Sequence, residues 1–410
     1  KNPNAKQHGK IYFHDIGDYL SQEDKLKKIE AFKSIEGITA ANGWRPITPD
    51  QHNDWINQRN SSFSEHISLG DKKGDGPKLF ETFSLGVATG RDAWCYNSSK
   101  AELSSRMSKM ISFYNKEVER FRIAHGAKDK KKREELIDDF IIADRTKISW
   151  ERGLKNELAK LRNLEFHETA VIQSSYRPFT KQWMYFNRKF NAMVYQMPQL
   201  FPDETSENLV IAVNGKGAKK GFTALMHKSV VDLNSLDAGA QCFPLKIYTL
   251  HDGDDELEEQ SASLELFDAP KPQSGKYTVK DGITDAGLKH FQEGYPSEKI
   301  TKEDVFYYVY GLLHSDDYKT GFADNLTKEL PRIPRVKSAA DFWAFSRAGR
   351  DLAALHVNYE QVAPYPVQFE GGGLLLNSLA PDDYRVEQMK YAKGKNGEKH
   401  DKTRVTYNHK

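Results

Sequence analysis

The longest regular pattern of apolar positions lies in the segment that begins at Lys100. Apolar side chains recur there at every third or fourth position, at Leu103, Met107, Ile111, Tyr114, Val118 and Phe121. This spacing places them on one face of an α-helix. Two more helical patterns follow, "REELIDDFIIAD" and "SWERGLKNELAKLRNL", and "AHGAK" is the turn expected between the first two helices. We predict a helical spacer over about residues 100–165.

A different pattern covers about residues 168–250. Four short runs rich in β-branched and aromatic residues are separated by turn residues: "TAVIQSSYRPF", "KQWMYFN", "NLVIAVNG" and "CFPLKIYTL". Runs of this length and composition predict β-strands. The stretch of about residues 252–276 that follows is acidic and contains Pro and Ser, so we predict a flexible surface insertion there.

Helical patterns return over about residues 284–360. Thr301 and Asp304 have the spacing of a capping box at the start of "TKEDVFYYVYGLLHS". The prolines of "PRIPRVK" end this helical region, and "SAADFWAFSRAGRDLAALHVNYE" predicts one more helix. Helical and β-rich parts together predict a mixed α/β (α+β) fold.

The first residues predict a strand and a helix that need further partners. "KIYFHDI" is typical of a strand, and Ser21 of "SQED" is a candidate helix cap. Leu26, Ile29 and Phe32 then share one helical face. A strand and a helix do not form a domain alone, so we expect them to complete a sheet that begins upstream of Lys1. At the other end "RVTYNHK" starts a strand-like alternation, and we expect both ends to be boundaries within a longer protein.

The length of 410 residues predicts two or three compact units. A hydrophobic content of 38% and a charged content of 29% are typical of a polar globular protein. No apolar run in the sequence approaches the roughly 20 residues that a membrane span needs. Cys95 and Cys242 are too few for a disulfide framework or a CxxC-type zinc site, which favours a reducing cytoplasm.

The net charge of +2 hides an uneven distribution. The stretch "DGDDELEEQSASLELFD" has no Lys or Arg, whereas basic residues concentrate in "AKDKKKREE", "YRPFTKQWMYFNRK", "NGKGAKK", "LPRIPRVK" and "KYAKGKNGEKHDKTR". A single run of this kind is more often a solvated face. Several basic runs interleaved with aromatic residues favour binding to a polyanion such as nucleic acid.

Motifs for catalysis are incomplete. In "LVIAVNGKGAKKG" the glycines Gly215 and Gly217 fit a dinucleotide fingerprint, but Lys220 occupies the third glycine position and Gly221 comes one residue late. There is no P-loop, no GxSxG elbow, no HExxH pair and no NPPY motif, and nuclease-like pairs such as "PDET" and "GEKHDK" arise readily by chance in a lysine-rich chain. The sequence therefore favours a binding function.

Three segments supply the candidate binding residues. Arg177, Lys181 and Arg188 lie among aromatic residues in a predicted strand pair, where one face can bury rings while the other presents cations; a buried sheet edged by solvated cations is an equally good interpretation. Gly86 and Gly90 permit a tight turn that would project Arg91 outward, or they simply turn a hairpin. The remaining candidates are in the "NGKGAKK" loop, where amides and cations would meet phosphates: Asn214, Lys216, Lys219 and Lys220.

Several blocks of the chain together resemble one family. They are "IYFHDIGDYLSQEDKLKKIEAF", "DWINQRN", "FSLGVATGRDAWCYN", "SYRPFTKQWMYF", "QCFPL", "FYYVYGLLHS" and "NLTKELPRIPRV". In this order they are similar to the carboxy-terminal part of Type ISP restriction–modification enzymes, over nearly the whole chain. Those single-chain proteins carry a nuclease, a translocating helicase-like motor, an adenine methyltransferase and a target-recognition domain.

The resemblance implies a division of the chain and a set of partners. Residues 1–70 would be the end of the methyltransferase domain, and residues 71–410 the target-recognition domain. The implied partners are double-stranded DNA and the upstream methyltransferase and motor domains of the same polypeptide, with no membrane. S-adenosylmethionine, ATP and Mg²⁺ would serve the parent enzyme, and the resemblance implies no cofactor in this chain. The fragment alone would then not be catalytic.

The resemblance also implies how the chain would read DNA. An adenine methyltransferase flips its target base, so another module must hold the duplex by its phosphates and read neighbouring bases. Asn214 would be a candidate base reader, because asparagine suits adenine. Arg332 and Arg335 are weaker candidates, since a turn that only locks helices together is the alternative interpretation of their segment. We expect Arg177→Ala with Lys181→Ala to weaken DNA binding without unfolding. The alternatives are a free-standing nuclease or divergent methyltransferase, and a protein-interaction scaffold.

Overall fold

The structure, a computed structural model, describes residues 9–203, 205–250, 277–368, 389–395 and 400–407. It divides the chain into two units, Lys1–Tyr359 and Glu360–Lys410. The predicted acidic insertion at about residues 252–276 lies outside the described residues.

Helices and short strands alternate throughout the described residues. The α-helices are α1 (Gln22–Phe32), α2 (Ile35–Ala40), α3 (Asp92–Cys95), α4 (Lys100–His125), α5 (Lys130–Phe140), α6 (Arg152–Ala159), α7 (Met197–Leu200), α8 (Asp285–Gly294), α9 (Lys302–Leu313), α10 (Asp316–Gly321), α11 (Ala323–Leu326) and α12 (Ala339–Val357). The β-strands are β1 (Ile11–Phe13), β2 (Arg45–Ile47), β3 (Ile67–Gly70), β4 (Lys78–Phe80), β5 (Ser84–Leu85), β6 (Tyr96–Asn97), β7 (Val171–Arg177), β8 (Thr180–Tyr185), β9 (Val210–Val213), β10 (Ala224–His227), β11 (Val230–Val231), β12 (Gln241–Pro244), β13 (Lys246–Leu250), β14 (Tyr277–Asp281), β15 (Arg332–Ile333), β16 (Met389–Lys393) and β17 (His400–Tyr407). The mixed α+β prediction is confirmed.

The first unit is built around two four-stranded sheets that share a hydrophobic layer. One sheet has the strand order β11–β7–β8–β6 and the other β10–β9–β12–β5. Successive side chains of a strand point to opposite faces, and both sheets follow this rule. Ile172 and Met184 of the first sheet pack in the same cluster as Val210 and Ala212 of the second. This cluster is the layer between the two sheets.

Helices cover the outer face of each sheet. Val171 and Tyr185 point away from the shared layer into a cluster with the buried stripe of α4 and with α5 and α6. Ile211 and Val213 point from the second sheet into a cluster with α8, α9 and α12. The architecture is therefore helices, sheet, sheet, helices. Apolar residues on both faces explain why the strand runs show little polar alternation.

Smaller sheets complete the molecule. β15, β3 and β4 form a three-stranded sheet, and β13 pairs with β14. β1 pairs with β2 next to α1, none of whose residues is buried. In the second unit β16 and β17 form an antiparallel pair with a register shift between Tyr391 and Ala392.

Most predicted elements are confirmed. The α4 stripe from Leu103 to Phe121 is buried, Ser21 caps α1 through the Asp24 N–H, and Thr301 and Asp304 form both bonds of a capping box on α9. Two expectations were incomplete. "FTALMHKSVVDL", for which no strand was predicted, contains β10 and β11, and "PRIPRVK" contains β15 in addition to ending the helices.

The cysteines and the helix lengths complete the description. Cys95 and Cys242 are both buried and unbridged. Among the described residues, each helix is too short or too polar to cross a membrane.

Candidate nucleic-acid interface

Three elements of the first unit meet at a narrow cleft. They are the β7–β8 hairpin, the end of β10 with the turn after it, and the carboxy-terminal end of α12. The lining residues are Ser175, Arg177, Phe179, Thr180, Lys181, Leu225, Met226, His227, Lys228, Ser229, His356, Val357 and Tyr359. The enclosed volume is only about 20 Å³, close to the space one water molecule needs. A base cannot insert, so a polyanion would meet the rim.

The rim combines aromatic rings with cations. Phe179, in the turn between β7 and β8, has a φ of 51° and remains 48% exposed. The rings of His356 and Tyr359 hold it edge-on at 5.4 and 5.3 Å between centroids. The Lys181 ammonium lies 5.2 Å from the centre of the Tyr359 ring. An exposed ring beside ammonium groups can pack against a sugar or base while the cations meet phosphate.

Lys228 is the cleft cation that the sequence interpretation missed. It is exposed directly after β10, and its Nζ donates to the Asn358 side-chain oxygen at 3.0 Å. The sequence did contain an indication of this cation, because "MHKS" places Lys228 directly after the buried strand β10. In the fold Lys228 shares the cleft with the predicted residues Arg177 and Lys181. It was overlooked because β10 was not predicted as a strand.

Arg177 is in the cleft but is held by carboxylates. Its Nη1 donates to Asp232 Oδ1 at 2.7 Å, and its Nη2 lies 3.7 Å from Asp92 Oδ2. The guanidinium stacks 3.8 Å from the centre of the Tyr176 ring. Burial raises the pKa of Asp232, and the hydrogen bond from the Asn234 N–H, then the Tyr96 hydroxyl and the Arg177 charge, oppose that rise. Arg177 is thus first a counter-ion to a buried carboxylate, and a DNA contact by it stays a prediction.

The floor of the cleft is an uncharged histidine cluster. Burial lowers the pKa of His227 to about 4, with a smaller contribution from the His356 charge. Burial likewise lowers the pKa of His314 to about 4 and reduces that of His356. The His356 ring shares a hydrogen bond with the Tyr310 hydroxyl. At neutral pH these rings are neutral, so the positive charge of the cleft comes from Lys181, Lys228 and the partly neutralised Arg177.

The basic loop of residues 214–221 has a different role from the one expected. The Asn214 side chain is buried, donates to the Gly221 carbonyl at 2.8 Å and accepts from the Thr223 N–H at 2.9 Å. It braces the loop and cannot read a base in this conformation, which corrects that expectation. The physical reason is that a turn between two buried strands needs its own polar groups satisfied.

The backbone amides of the same loop are also engaged. The Lys219 and Lys220 N–H groups donate to Asp237 Oδ2 at 2.7 and 3.3 Å, and the Gly217 N–H donates to the Thr327 carbonyl at 2.8 Å. The two bonds to Asp237, that from the Lys219 N–H first, lower the pKa of this carboxylate. The amides of Gly217, Lys219 and Lys220 are therefore not available to cradle a phosphate. The side chains of Lys216, Lys219 and Lys220 are exposed, and phosphate contact by them stays a prediction.

Arg91 lies inside the molecule, not outside. It is 5% exposed at the start of α3, after Gly90 with its φ of 66°. Burial lowers its pKa, and the nearby Cys95 and Glu151 oppose that shift. Its Nε and Nη1 have no hydrogen-bond partner in the described part of the chain. The expected outward projection is wrong because the glycine turn directs the side chain toward α6.

The remaining arginines are spread over other surfaces. Arg188 is exposed in the turn after β8, which the Asn187 side chain closes through the Lys189 N–H. It lies at the end of β8 opposite Lys181. Arg332 donates to the His66 carbonyl at 3.0 Å and Arg335 to the His290 carbonyl at 2.6 Å. Both of the weaker candidates thus brace neighbouring segments.

The structure therefore brings together only two of the predicted site residues. Arg177 and Lys181 share the cleft. The lysines of the 214–221 loop are at the other end of β10, and Arg188 is at the other end of β8. The predicted residues therefore form three separate basic patches: the cleft, the 214–221 loop and the turn that carries Arg188. Arg91 and Asn214 are buried.

The sequence and the fold are both similar to one known family. The family model described as the Type ISP C-terminal specificity domain matches residues 78–410. Among curated proteins, none matches the chain.

Three solved structures share the fold. A nuclease-deletion mutant of the Type ISP restriction–modification enzyme LlaGI, in complex with a DNA substrate mimic, is 31% identical over 99% of this chain and 32% of its own, with a TM-score of 0.72. The ATP-dependent Type ISP enzyme LlaBIII bound to DNA is 30% identical over 90% of this chain and 21% of its own, with a TM-score of 0.68. The chain in the DrdV–DNA complex is 28% identical over 90% of this chain and 33% of its own, with a TM-score of 0.67. The chain thus spans about a third of the LlaGI chain.

Proposed function

The chain belongs to the family of Type ISP C-terminal specificity domains, and we propose from this premise that it recognises a specific sequence of double-stranded DNA. It would do so as the specificity part of a restriction–modification enzyme. The observation that carries the proposal is the likeness to LlaGI on a DNA substrate mimic, which extends over 99% of the chain.

The wider activity is proposed for the longer enzyme. Other parts of that polypeptide would methylate adenine with S-adenosylmethionine and, after ATP-driven translocation, cleave unmodified DNA in the cytoplasm. Residues 1–70 would then be the end of the methyltransferase domain, which agrees with an α1 that buries none of its side chains. The glycine-rich loop of residues 214–221 does not fit the phosphates of a nucleotide, because the N–H groups of Gly217, Lys219 and Lys220 already donate to Thr327 and Asp237. No step is assigned to a cofactor here.

The geometry supports positioning of DNA by its phosphates at the cleft rim. Lys181 and Lys228 line the cleft together with the exposed Phe179 ring and provide its ammonium groups. Phosphate contacts fix the register of a duplex, whereas base identity requires contacts in the grooves. The cleft is too narrow to hold a base, so the rim positions the duplex and leaves base contacts to side chains that project beyond it.

The experiment is a salt series followed by selection. The chain is titrated with a mixed-sequence duplex, and a proposed contact to several phosphates predicts that log affinity falls by about 0.9 per contact for each tenfold rise in salt. Selection from a random duplex pool should then return one preferred sequence. Absence of duplex binding at low salt would overturn the proposal, and methylation or cleavage by the chain alone would favour a free-standing enzyme.

A further inference from the structure

A second basic surface lies on α4, and none of the predicted site residues lines it. It is a groove of about 620 Å³ between α4, α3 and the segment before α6. We call it the α4 groove. Its lining residues are Trp94, Glu102, Ser105, Arg106, Ser108, Lys109, Ser112, Phe113, Lys116, Thr146 and Lys147.

The periodicity of α4 explains how the groove arises. The buried stripe from Leu103 to Phe121 faces the first sheet. Residues 102, 105, 106, 109, 112, 113 and 116 recur at the same helical spacing on another face, so they form a second continuous stripe. This stripe carries three cations and two serines, together with Glu102 and Phe113. It is therefore a built feature of the helix rather than a random scatter of lysines.

The charges of the groove are mostly uncompensated. Four cations, Arg106, Lys109, Lys116 and Lys147, face a single carboxylate, Glu102. Lys147 lies 3.5 Å from Asp144 and Arg106 donates to the Ala93 carbonyl. Among the described residues, Lys109 and Lys116 are exposed and have no ion-pair partner. Their charge is available to an anion.

We infer that the α4 groove binds the phosphate backbone of duplex DNA. The inference rests on the proposed function and adds a contact region to it. Ten residues separate Arg106 from Lys116, or roughly 15 Å along the helix axis, which matches about four base-pair steps of DNA. Ser105 is exposed next to Arg106, and Ser112 is exposed between the two cations, where its hydroxyl donates to the Ser108 carbonyl at 2.9 Å. Cations alternating with hydroxyls are the side chains that most often contact phosphate oxygens.

Such a contact positions DNA without reading it. Phosphates carry no base identity, so the groove should strengthen binding to every sequence equally. An acidic polypeptide could satisfy both the cations and the hydroxyls, but cations repeated at regular intervals along one helix face match the regularly repeated phosphates of a duplex. The DNA occupant is therefore favoured.

The test removes two positive charges from the α4 groove and compares the effect on DNA binding with that of removing two lysine charges elsewhere on the surface. Lys109→Gln with Lys116→Gln is measured against Lys289→Gln with Lys299→Gln, two exposed lysines of which the first lies on α8, 3.7 Å from Glu293, and the second lies between α8 and α9. Each variant is first checked for an unchanged melting temperature. We expect the groove variant to bind duplex roughly ten- to a hundredfold more weakly at about 0.1 M salt, and its salt slope to fall by about two. The control should match the unmodified chain, and the preferred sequence from a random pool should stay the same.

The outcomes separate the two proposals. If the unmodified chain binds duplex and the groove variant behaves as the control does, the α4 groove inference is overturned while the proposed function stands; an acidic protein partner is then the next candidate. If the groove variant changes the preferred sequence, the groove reads bases and the inference of a backbone contact is wrong. If the unmodified chain binds no duplex, both proposals fail.

Discussion

Arg177 shows how a single residue can have a structural duty that its sequence context conceals. It neutralises Asp232, which is 1% exposed. Arg177→Ala should lower the free energy of unfolding by about 2 kcal/mol, below the roughly 3–5 kcal/mol for a fully buried pair, because solvent screens the partly exposed guanidinium. Urea unfolding would measure the loss.

Two further variants make the test specific. Arg188→Ala removes an exposed arginine from the turn at the far end of β8 and should change stability by less than about 0.5 kcal/mol. Adding Asp232→Asn to Arg177→Ala should restore part of the loss, since the buried charge is then gone. Equal stability of Arg177→Ala and the unmodified chain would contradict this account. It would also restore the simpler expectation that Arg177→Ala with Lys181→Ala affects DNA binding alone.

The buried histidines make stability depend on pH. His227 has a pKa of about 4 in the folded chain against an ordinary 6.5, so the unfolded chain binds more protons between these values. Stability is then fully present above about pH 6.5 and is lost as the pH falls toward 4. For His227 the loss at pH 5 is about 2 kcal/mol.

His227→Phe isolates this contribution, because phenylalanine keeps a ring at the site but cannot take up a proton. We expect the loss of unfolding free energy between pH 7.5 and pH 5 to be smaller in the variant by about 2 kcal/mol. Comparing each protein with itself at the two pH values removes any general effect of the substitution. An unchanged difference would show that His227 is protonated in the folded state.

At the scale of elements, the 214–221 loop is a braced turn. A Cβ added at Gly215 would lie 2.0 Å from the Ala238 carbonyl oxygen. Gly215→Ala should therefore destabilise the chain by about 1–3 kcal/mol. Gly76→Ala is the control, since its Cβ would meet nothing within 4 Å. Thermal unfolding compares the melting temperatures of the two variants, and we expect that of Gly215→Ala to be lower. Equal melting temperatures would show that the loop can move away from Ala238.

The elements that could be predicted are those whose signal is local. The apolar stripe of α4 and the capping box of α9 each lie within one segment, and both were predicted. β11 and β15 are two residues long and form because strands distant in sequence pair with them, so no local pattern predicted them; β10 has four residues and pairs with β9, the strand before it. The burial of Arg91 likewise brings it near Glu151, sixty positions away in sequence, and could not be predicted from "ATGRDAW".

For the molecule as a whole, the fold class and the family could be predicted from the order of the segments, but the grouping of the site residues could not. The order of strands in a sheet decides which loops lie at the same edge of that sheet. The parallel pairing of β11 with β7 joins segments that are far apart in the sequence. This pairing brings Lys228 to Lys181 and leaves the 214–221 loop at the far end of β10. A four-residue strand separates the two places by roughly 13 Å, so one duplex can touch both.

This separation predicts additive contributions to DNA binding. Lys181→Gln with Lys228→Gln alters the cleft, and Lys216→Gln, Lys219→Gln and Lys220→Gln alter the loop. If both places contact phosphates of one duplex, the salt slope should fall by about two and three respectively, and the losses in log affinity should add in the combined variant because the sites are more than about 10 Å apart. Duplex titration over a salt series measures both quantities. A cleft variant that keeps the full slope would exclude the cleft from the interface, whereas losses that fail to add would show that the duplex reaches only one place at a time.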